Sequence, residues 1–498
     1  MKKILLCLFL LVGTTAMAQS LEERFRAFQQ GAQQNYTSFR DAVNQRYADF
    51  MREAWEPFNS TPAVPVPQEE PIPPVVYQPV EPISPVEPIS PVEPISPIEP
   101  EEQEQEIAIE ELILPPEPQP QPQPIEYPEP EPHPEEYACT FEFFNTICRV
   151  RVPMQLLQLT GASNEHFADG WEILSNGEYD ATLADCLHLR EELSLCDWAY
   201  MHMLYELAKN AYLADNNEAM LLCAWLYCQS GYQMRLALDG NRLNLLYASQ
   251  HTIYRKAYFK LDAYRYYPLK AASNTLQICT VAFDKEQPLS LYVTNTPAFA
   301  ADYSDIRLLQ AKKYSDMQVQ VKTNRNLISF YETYPSNELN SNPITRWVMY
   351  ANTPLTSETK QMIYPSLYQQ LQGTSYREAV EKLLNFVQTA LTYEYDDKVW
   401  GGDRAFFAEE TLFYPYADCE DRSILFSRLV RDLLDLPVAL IYYPGHLATA
   451  VAFPHEEKGD YILLDGMRFT VCDPTYVGAP IGNTMPGMDN AAAQVVVL

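Results

Sequence analysis

Residues 60–137 hold 24 of the chain's 40 prolines, 18 Asp or Glu and no Lys or Arg. Nothing else in the sequence restricts the fold as much. Proline fixes φ and carries no amide proton, so a stretch this dense in it cannot run through a helix or the middle of a sheet. It contains three copies of Pro-Val-Glu-Pro-Ile-Ser (79–96) and a Pro-Gln/Pro-Glu run (115–134). The composition predicts extended polyproline II with no core of its own, at about 3.1 Å per residue and a reach on the order of 200 Å. Spacer comes first as its role, ligand for a proline-binding module second. More than half of the formal net charge of −31 comes from this segment. With no basic stripe elsewhere to displace counterions, the electrostatics weigh against nucleic acid as a partner.

The flanks of the spacer differ sharply from it. Met1-Lys-Lys, the apolar run Ile4–Val12 and Thr-Thr-Ala-Met-Ala make the three parts of a secretory signal peptide, residues 1–18. Cys7 has no lipobox around it, and no other run reaches the length needed to span a bilayer. The expected location is therefore outside the cytoplasm, in the periplasm or cell envelope, with no transmembrane segment. Within 19–59, Leu21, Phe25, Phe28, Ala32, Tyr36, Phe39, Val43, Tyr47, Phe50 and Ala54 recur at 4-3-4 spacing. That predicts one amphipathic helix over 21–55. Its aromatic stripe must self-associate, bind an envelope partner or membrane surface, or fold back on the body. With the spacer holding it away, no core is expected to cross Tyr137.

From Tyr137 the chain reads as globular α+β. Glu191–Leu213 and Glu218–Tyr232 have helical spacing, and Gly231–Leu238, Leu243–Ala248 and Tyr254–Leu261 read as strands. Residues 138–274 form one expected domain. Residues 275–350 form a β-rich connection, with strands at Leu289–Val293, Met317–Val321 and Leu327–Tyr331. Residues 351–498 form the catalytic domain.

The chemistry concentrates in 410–476, around Tyr416-Ala-Asp-Cys-Glu-Asp-Arg-Ser423. Leu425, Phe426, Leu429, Val430, Leu433 and Leu434 then follow at helical spacing until Leu436-Pro437. Cys419 thus stands in the first turn of a helix, with Asp418 as N-cap, where the helix dipole favours a thiolate. Strands follow at Val438–Tyr443, Leu447–Phe453, Tyr461–Leu464 and Arg468–Cys472, with His446 after the Pro444-Gly445 turn and Asp473 at the end of the last. A cysteine at a helix start facing His and Asp on antiparallel strands suits thiol acyl transfer. Glu420 and Asp421 act against this, since their charges raise the thiol pKa. No CxxC pair or HExxH suggests a metal, and no cofactor is expected.

The segments DCEDRS, GHLATAV and CDPTY resemble the Cys, His and Asp motifs of the transglutaminase-like superfamily, over roughly residues 375–480. The resemblance implies a papain-like α+β core with Cys419 as nucleophile, His446 as general base and acid, and Asp473 orienting the imidazole. It also implies an oxyanion site made by the Cys419 backbone N–H and an upstream donor, for which Trp400, Tyr414 and Tyr416 are candidates. The motifs are 27 residues apart in both intervals, closer to compact bacterial hydrolases than to large cross-linking enzymes. The expected substrate is a protein or peptide amide, and the alternative is a non-catalytic envelope scaffold. Residues 190–270 repeat the order helix, helix, strands, with Asn216-Asn217 about where Cys419 stands. They read as a degenerate copy, or as a common helix-pair-and-hairpin arrangement. Nine cysteines follow the signal peptide, an odd number. Bridges Cys139–Cys148 and Cys186–Cys196 are expected, with Cys419 left over.

Overall fold

The computed structural model describes residues 39–53, 55–67, 71–78, 104–128 and 136–498. The expected signal peptide, residues 21–38 of the expected helix and the repeats at 79–96 lie outside the described residues. The fold is mixed α+β with several sheets, of which two are six-stranded. The C-terminal sheet runs Ile109–Ile113, Ala493–Val497, Val438–Tyr443, His446–Ala452, Met467–Cys472, Tyr461–Leu464. The N-terminal sheet runs Trp55–Asn59, Thr275–Cys279, Met234–Asp239, Arg242–Ser249, Tyr264–Pro268, Phe259–Leu261. The two orders correspond strand for strand. In each, a helix leads into a hairpin, a second hairpin adds outside its second strand, and a later strand returns to the edge of its first. The leading helices are Asn217–Gln229 and Cys419–Leu434.

Val438–Tyr443 and His446–Ala452 are buried along their whole length. A strand covered on both faces reads as a continuous apolar run, without alternation. Gly445 sits in the turn between them at φ 81°, a conformation that strains any residue with a Cβ.

One hydrophobic core runs through both halves, from Val43 to Val496. Thr275–Cys279 is an inner strand, paired on both sides, so a domain boundary at 274 is corrected. Of the strands expected in 275–350, Gln318–Val321 is present and pairs with Arg307–Gln310. Leu327–Tyr331 lies instead in helix Arg325–Glu332, because the Asn324 side chain caps it by accepting from the Asn326 N–H at 3.1 Å. Leu289–Val293 forms no strand and meets the sheet through a single bridge, Ser249–Leu289.

The end of the 19–59 segment is strand and not helix, since Trp55–Asn59 adds antiparallel to Thr275–Cys279. The free spacer is also corrected, since Ile109–Ile113 adds parallel to Ala493–Val497. Both are edge strands, where proline is tolerated because one row of N–H groups has no partner to meet. Farther along, Gln121 bonds to Asp197 at 3.1 Å, and the Pro122 carbonyl accepts from Arg190 at 2.9 Å. The described parts of 60–137 are therefore a strap along the body.

Core does cross Tyr137. Residues 39–51 are helical, and Asn44 exchanges hydrogen bonds of 2.9 and 3.2 Å with Gln229 while accepting the Trp171 indole N–H at 3.0 Å. The Tyr47 ring lies 4.8 Å from that of Trp171. The buried face carries Val43 and Tyr47 of the expected stripe together with Arg40 and Asn44, whereas Phe39 and Phe50 of that stripe are exposed.

All nine described cysteines are buried and unpaired. Across the hairpin Glu136–Phe143/Thr146–Pro153, Cys139 faces Val150 and Cys148 faces Phe141, so a bridge between them is out of register. Cys186 lies inside helix Asp180–Glu192 and Cys196 caps the next one. The odd count thus singles out no thiol. Among the described residues, no helix is long and apolar enough to cross a membrane.

Candidate active site

Cys419 is the first residue of helix Cys419–Leu434. The helix begins there because Asp418 is extended and its backbone N–H donates to Asp421 Oδ2 at 3.3 Å. Asp421 Oδ1 also accepts the Phe406 N–H at 2.9 Å. Arg422 is buried without a carboxylate partner, its guanidinium donating to the carbonyls of Gln388 and Leu391 at 3.2 and 3.0 Å. That ties the helix to Tyr376–Ala390. Ser423 Oγ donates to the Leu447 carbonyl at 2.8 Å and ties it to the strand of His446.

His446 opens that strand, and its Nε2 lies 2.8 Å from Asp473 Oδ2. The other oxygen of Asp473 accepts the N–H groups of Thr475 and Tyr476 at 2.8 and 3.1 Å, so the carboxylate is fixed on both sides. Gln388 holds the loop beyond it, donating to the carbonyls of Asp473, Tyr476 and Ala479 at 2.9–3.2 Å. His446 Nδ1 is buried and has no hydrogen-bond partner. Cys419 and His446 line one cavity of about 410 Å³, whose wall also carries Arg255, Arg346 and several carboxylates.

The thiol rests in a negative setting. Cys419 Sγ donates to Glu420 Oε2 at 3.1 Å. Burial first, then the charges of Glu420 and Asp418, push its pKa well above that of an ordinary cysteine, while the Leu447 backbone N–H beside the sulfur acts the other way. Asp396, Asp403 and Glu420 present oxygens within 4.8 Å of one another, as do Asp396, Asp418 and Asp421. Burial, then Glu420, raises the Asp396 carboxyl to about 8. Asp418 and Asp421 are raised for the same first reason.

Asp418 therefore lies at the cavity with Cys419 and His446, and Asp473 reaches it through the imidazole. Trp400, Tyr414 and Tyr416 lie off it. Trp400 and Tyr414 stack edge to face at 4.7 Å with the Arg404 guanidinium over both rings, and Tyr416 bridges to Thr392. Sequence reasoning missed Gln388, the Leu447 N–H and the Asp396/Asp403 pair. Only the last had a visible signal, the acid-rich run Asp396-Asp-Lys-Val-Trp-Gly-Gly-Asp403. No protein-family model, curated protein or solved structure matches this chain.

Proposed function

We propose that the chain is an exported cysteine enzyme with a transglutaminase-like, papain-like core, acting on peptide, isopeptide or side-chain amides through a thioester, with water as the usual acceptor. The observation that carries this reading is the imidazole of His446. One nitrogen is held by a fixed carboxylate, the other is buried and has no partner among the described residues, and the residue lines the same cavity as a thiol at a helix start. Asp473 on Nε2 keeps the proton there and leaves Nδ1 as the base.

In this reading the raised thiol pKa makes the resting state neutral, not an ion pair. The thiol turns from Glu420 toward Nδ1 and gives up its proton as sulfur attacks the amide carbon. His446 returns that proton to the nitrogen as the C–N bond breaks, giving amine and thioester. Water attacks the thioester with His446 again as base, releasing carboxylic acid and thiol. The Cys419 N–H, at the first helical position and without an intrahelical acceptor, stabilises the oxyanion. The Leu447 N–H beside the sulfur is the second donor, in place of Trp400, Tyr414 or Tyr416.

The N-terminal half is proposed as a degenerate copy. Registers Tyr443↔His446 and Asp239↔Arg242 put Arg242 at the position of His446. The helix starts put Asn217 at that of Cys419. The Leu243 N–H, counterpart of that of Leu447, donates to Asn217 Oδ1 at 2.9 Å, and Asn217 Nδ2 donates to the Asn241 carbonyl. An amide thus closes against the hairpin where the other half keeps a thiol.

A scaffold role is the second reading, favoured by the buried thiol and its bond to Glu420. Timed iodoacetamide labelling with peptide mapping, followed by incubation with a mixed peptide-amide pool, separates the two. An enzyme alkylates fastest at Cys419 and releases amines, and both signals vanish in His446→Ala. Labelling no faster at Cys419 than at the other eight thiols, with no release, leaves the scaffold.

A further inference from the structure

Described residues of the strap line the cavity on both flanks, and the way they are held identifies what the cavity takes. On one flank the Thr61 N–H donates to the Tyr258 carbonyl at 2.7 Å, and the Arg255 N–H donates to that of Val64 at 2.8 Å. Val66, Pro67 and Pro71 then line the cavity together with Cys419 and His446. On the other flank the Ile72 N–H donates at 3.0 Å to the carbonyl of Gly445, the residue before His446. Beyond it the Tyr77 N–H donates to the Val477 carbonyl at 2.9 Å, the Val477 N–H donates to that of Val75 at 3.0 Å, and the Tyr77 ring meets that of Tyr476 at 5.7 Å.

The hydrogen-bonded anchors are backbone groups on both sides, drawn from both halves of the molecule, and those of the second flank, Gly445 and Val477, lie within four residues of His446 and Asp473 in sequence. Main-chain anchors of this kind read an extended chain and not its side chains. Prolines at 62, 65, 67, 71, 73 and 74 pre-set that extended shape and lower the cost of ordering it.

We propose that the groove over Cys419 and His446 binds an extended polypeptide, and that residues 61–67 and 71–78 occupy it as a tethered competitor. The substrate class is then an unfolded or strand-like peptide segment, not a side chain presented on a folded surface and not a small molecule. This rests on the acyl-transfer reading of the site. The tether supplies a high local concentration, so a free substrate must displace it.

The test uses the full chain with Ile72→Pro, which removes the N–H on Gly445 while keeping an extended φ, and separately with Tyr77→Ala, which removes the ring contact. Both side chains are only partly buried, so neither change empties the core. Each variant should raise the alkylation rate of Cys419 by about fivefold, the factor that one net hydrogen bond or one aromatic pair contributes. A fluorescein-labelled peptide of sequence 61–78 should bind the variants, return alkylation to the parental rate, and bind the unsubstituted chain at least about fivefold more weakly. Parental alkylation rates in both variants, or a peptide that neither binds nor protects, overturns the proposal. The acyl-transfer reading is scored apart, by repeating the binding on Ile72→Pro chains carrying Cys419→Ser. Peptide bound there, with no amide cleaved by any chain that keeps Cys419, upholds the groove and removes the enzyme. Amine release without peptide binding upholds the enzyme and removes the groove.

Discussion

Replacing Glu420 by Gln isolates the charge that keeps the thiol protonated. A thiolate and a carboxylate 3.1 Å apart repel by about 5 kcal/mol at an effective dielectric of about 20. Solvent screening reduces that to about half, which is worth about a 100-fold change in the thiolate fraction. The amide keeps the volume and can still accept from the thiol, so packing is preserved. Below the midpoint the thiolate fraction rises about 100-fold, while the less basic sulfur loses about tenfold in intrinsic nucleophilicity, leaving a net gain of about tenfold. The assay is the alkylation rate of the Cys419 peptide by mass spectrometry over a pH series that extends well above the ordinary cysteine value of about 8.5. The midpoint should move down. An unmoved midpoint refutes the electrostatic account, and a rate raised equally at every pH shows that access, not charge, changed.

In Asp473→Asn, the Thr475 and Tyr476 N–H groups keep the amide oxygen, so the NH₂ must face His446 Nε2 and drive the proton to Nδ1. Amide hydrolysis should fall on the order of 10³-fold or more with the fold intact, and ¹⁵N NMR of the imidazole should report the reversed tautomer. Asn44→Ala strands the buried Trp171 indole and the Gln229 amide, and urea unfolding should show a loss of about 3 kcal/mol. The Asp396 carboxyl, raised to about 8 chiefly by burial and then by Glu420, holds its proton in the folded state far above the ordinary value of 3.8. That stabilisation is complete below about pH 4 and is lost as pH rises through about 8. The Tm should therefore fall between about pH 4 and 8, and Asp396→Asn should flatten the fall.

What was legible in the sequence was whatever two periodicities could encode. The strands Val438–Tyr443 and Tyr461–Leu464 match their sequence readings residue for residue, and helix Cys419–Leu434 begins at the expected cysteine. His446 and Asp473 were legible as strand-end residues because turns flank both. Three things were not. The run Leu327–Tyr331 has strand-like composition, and a single capping side chain decides for helix. Helix 39–51 buries a polar stripe, Arg40 and Asn44, whose partners lie about 140 and 185 residues away. The proline segment forms no core alone, yet its backbone completes ladders made elsewhere, which composition does not encode.

The parallel pairing of Ile109–Ile113 with Ala493–Val497 sets the order of events at synthesis. Gln494 and Glu111, joined at 3.2 Å, are 383 residues apart. Closing so long a loop adds little free energy, since the entropic term grows only logarithmically, but it cannot happen until Ala493–Val497 exists. The hairpin bearing His446 and the strand leading to Asp473 are complete before that. Residues 104–113 can thus dock only onto a body already assembled. A ribosome that stops before Ala493 would leave Val438–Tyr443 with a bare edge and 109–113 with no partner, and so make a chain with a nearly finished site and an open seam.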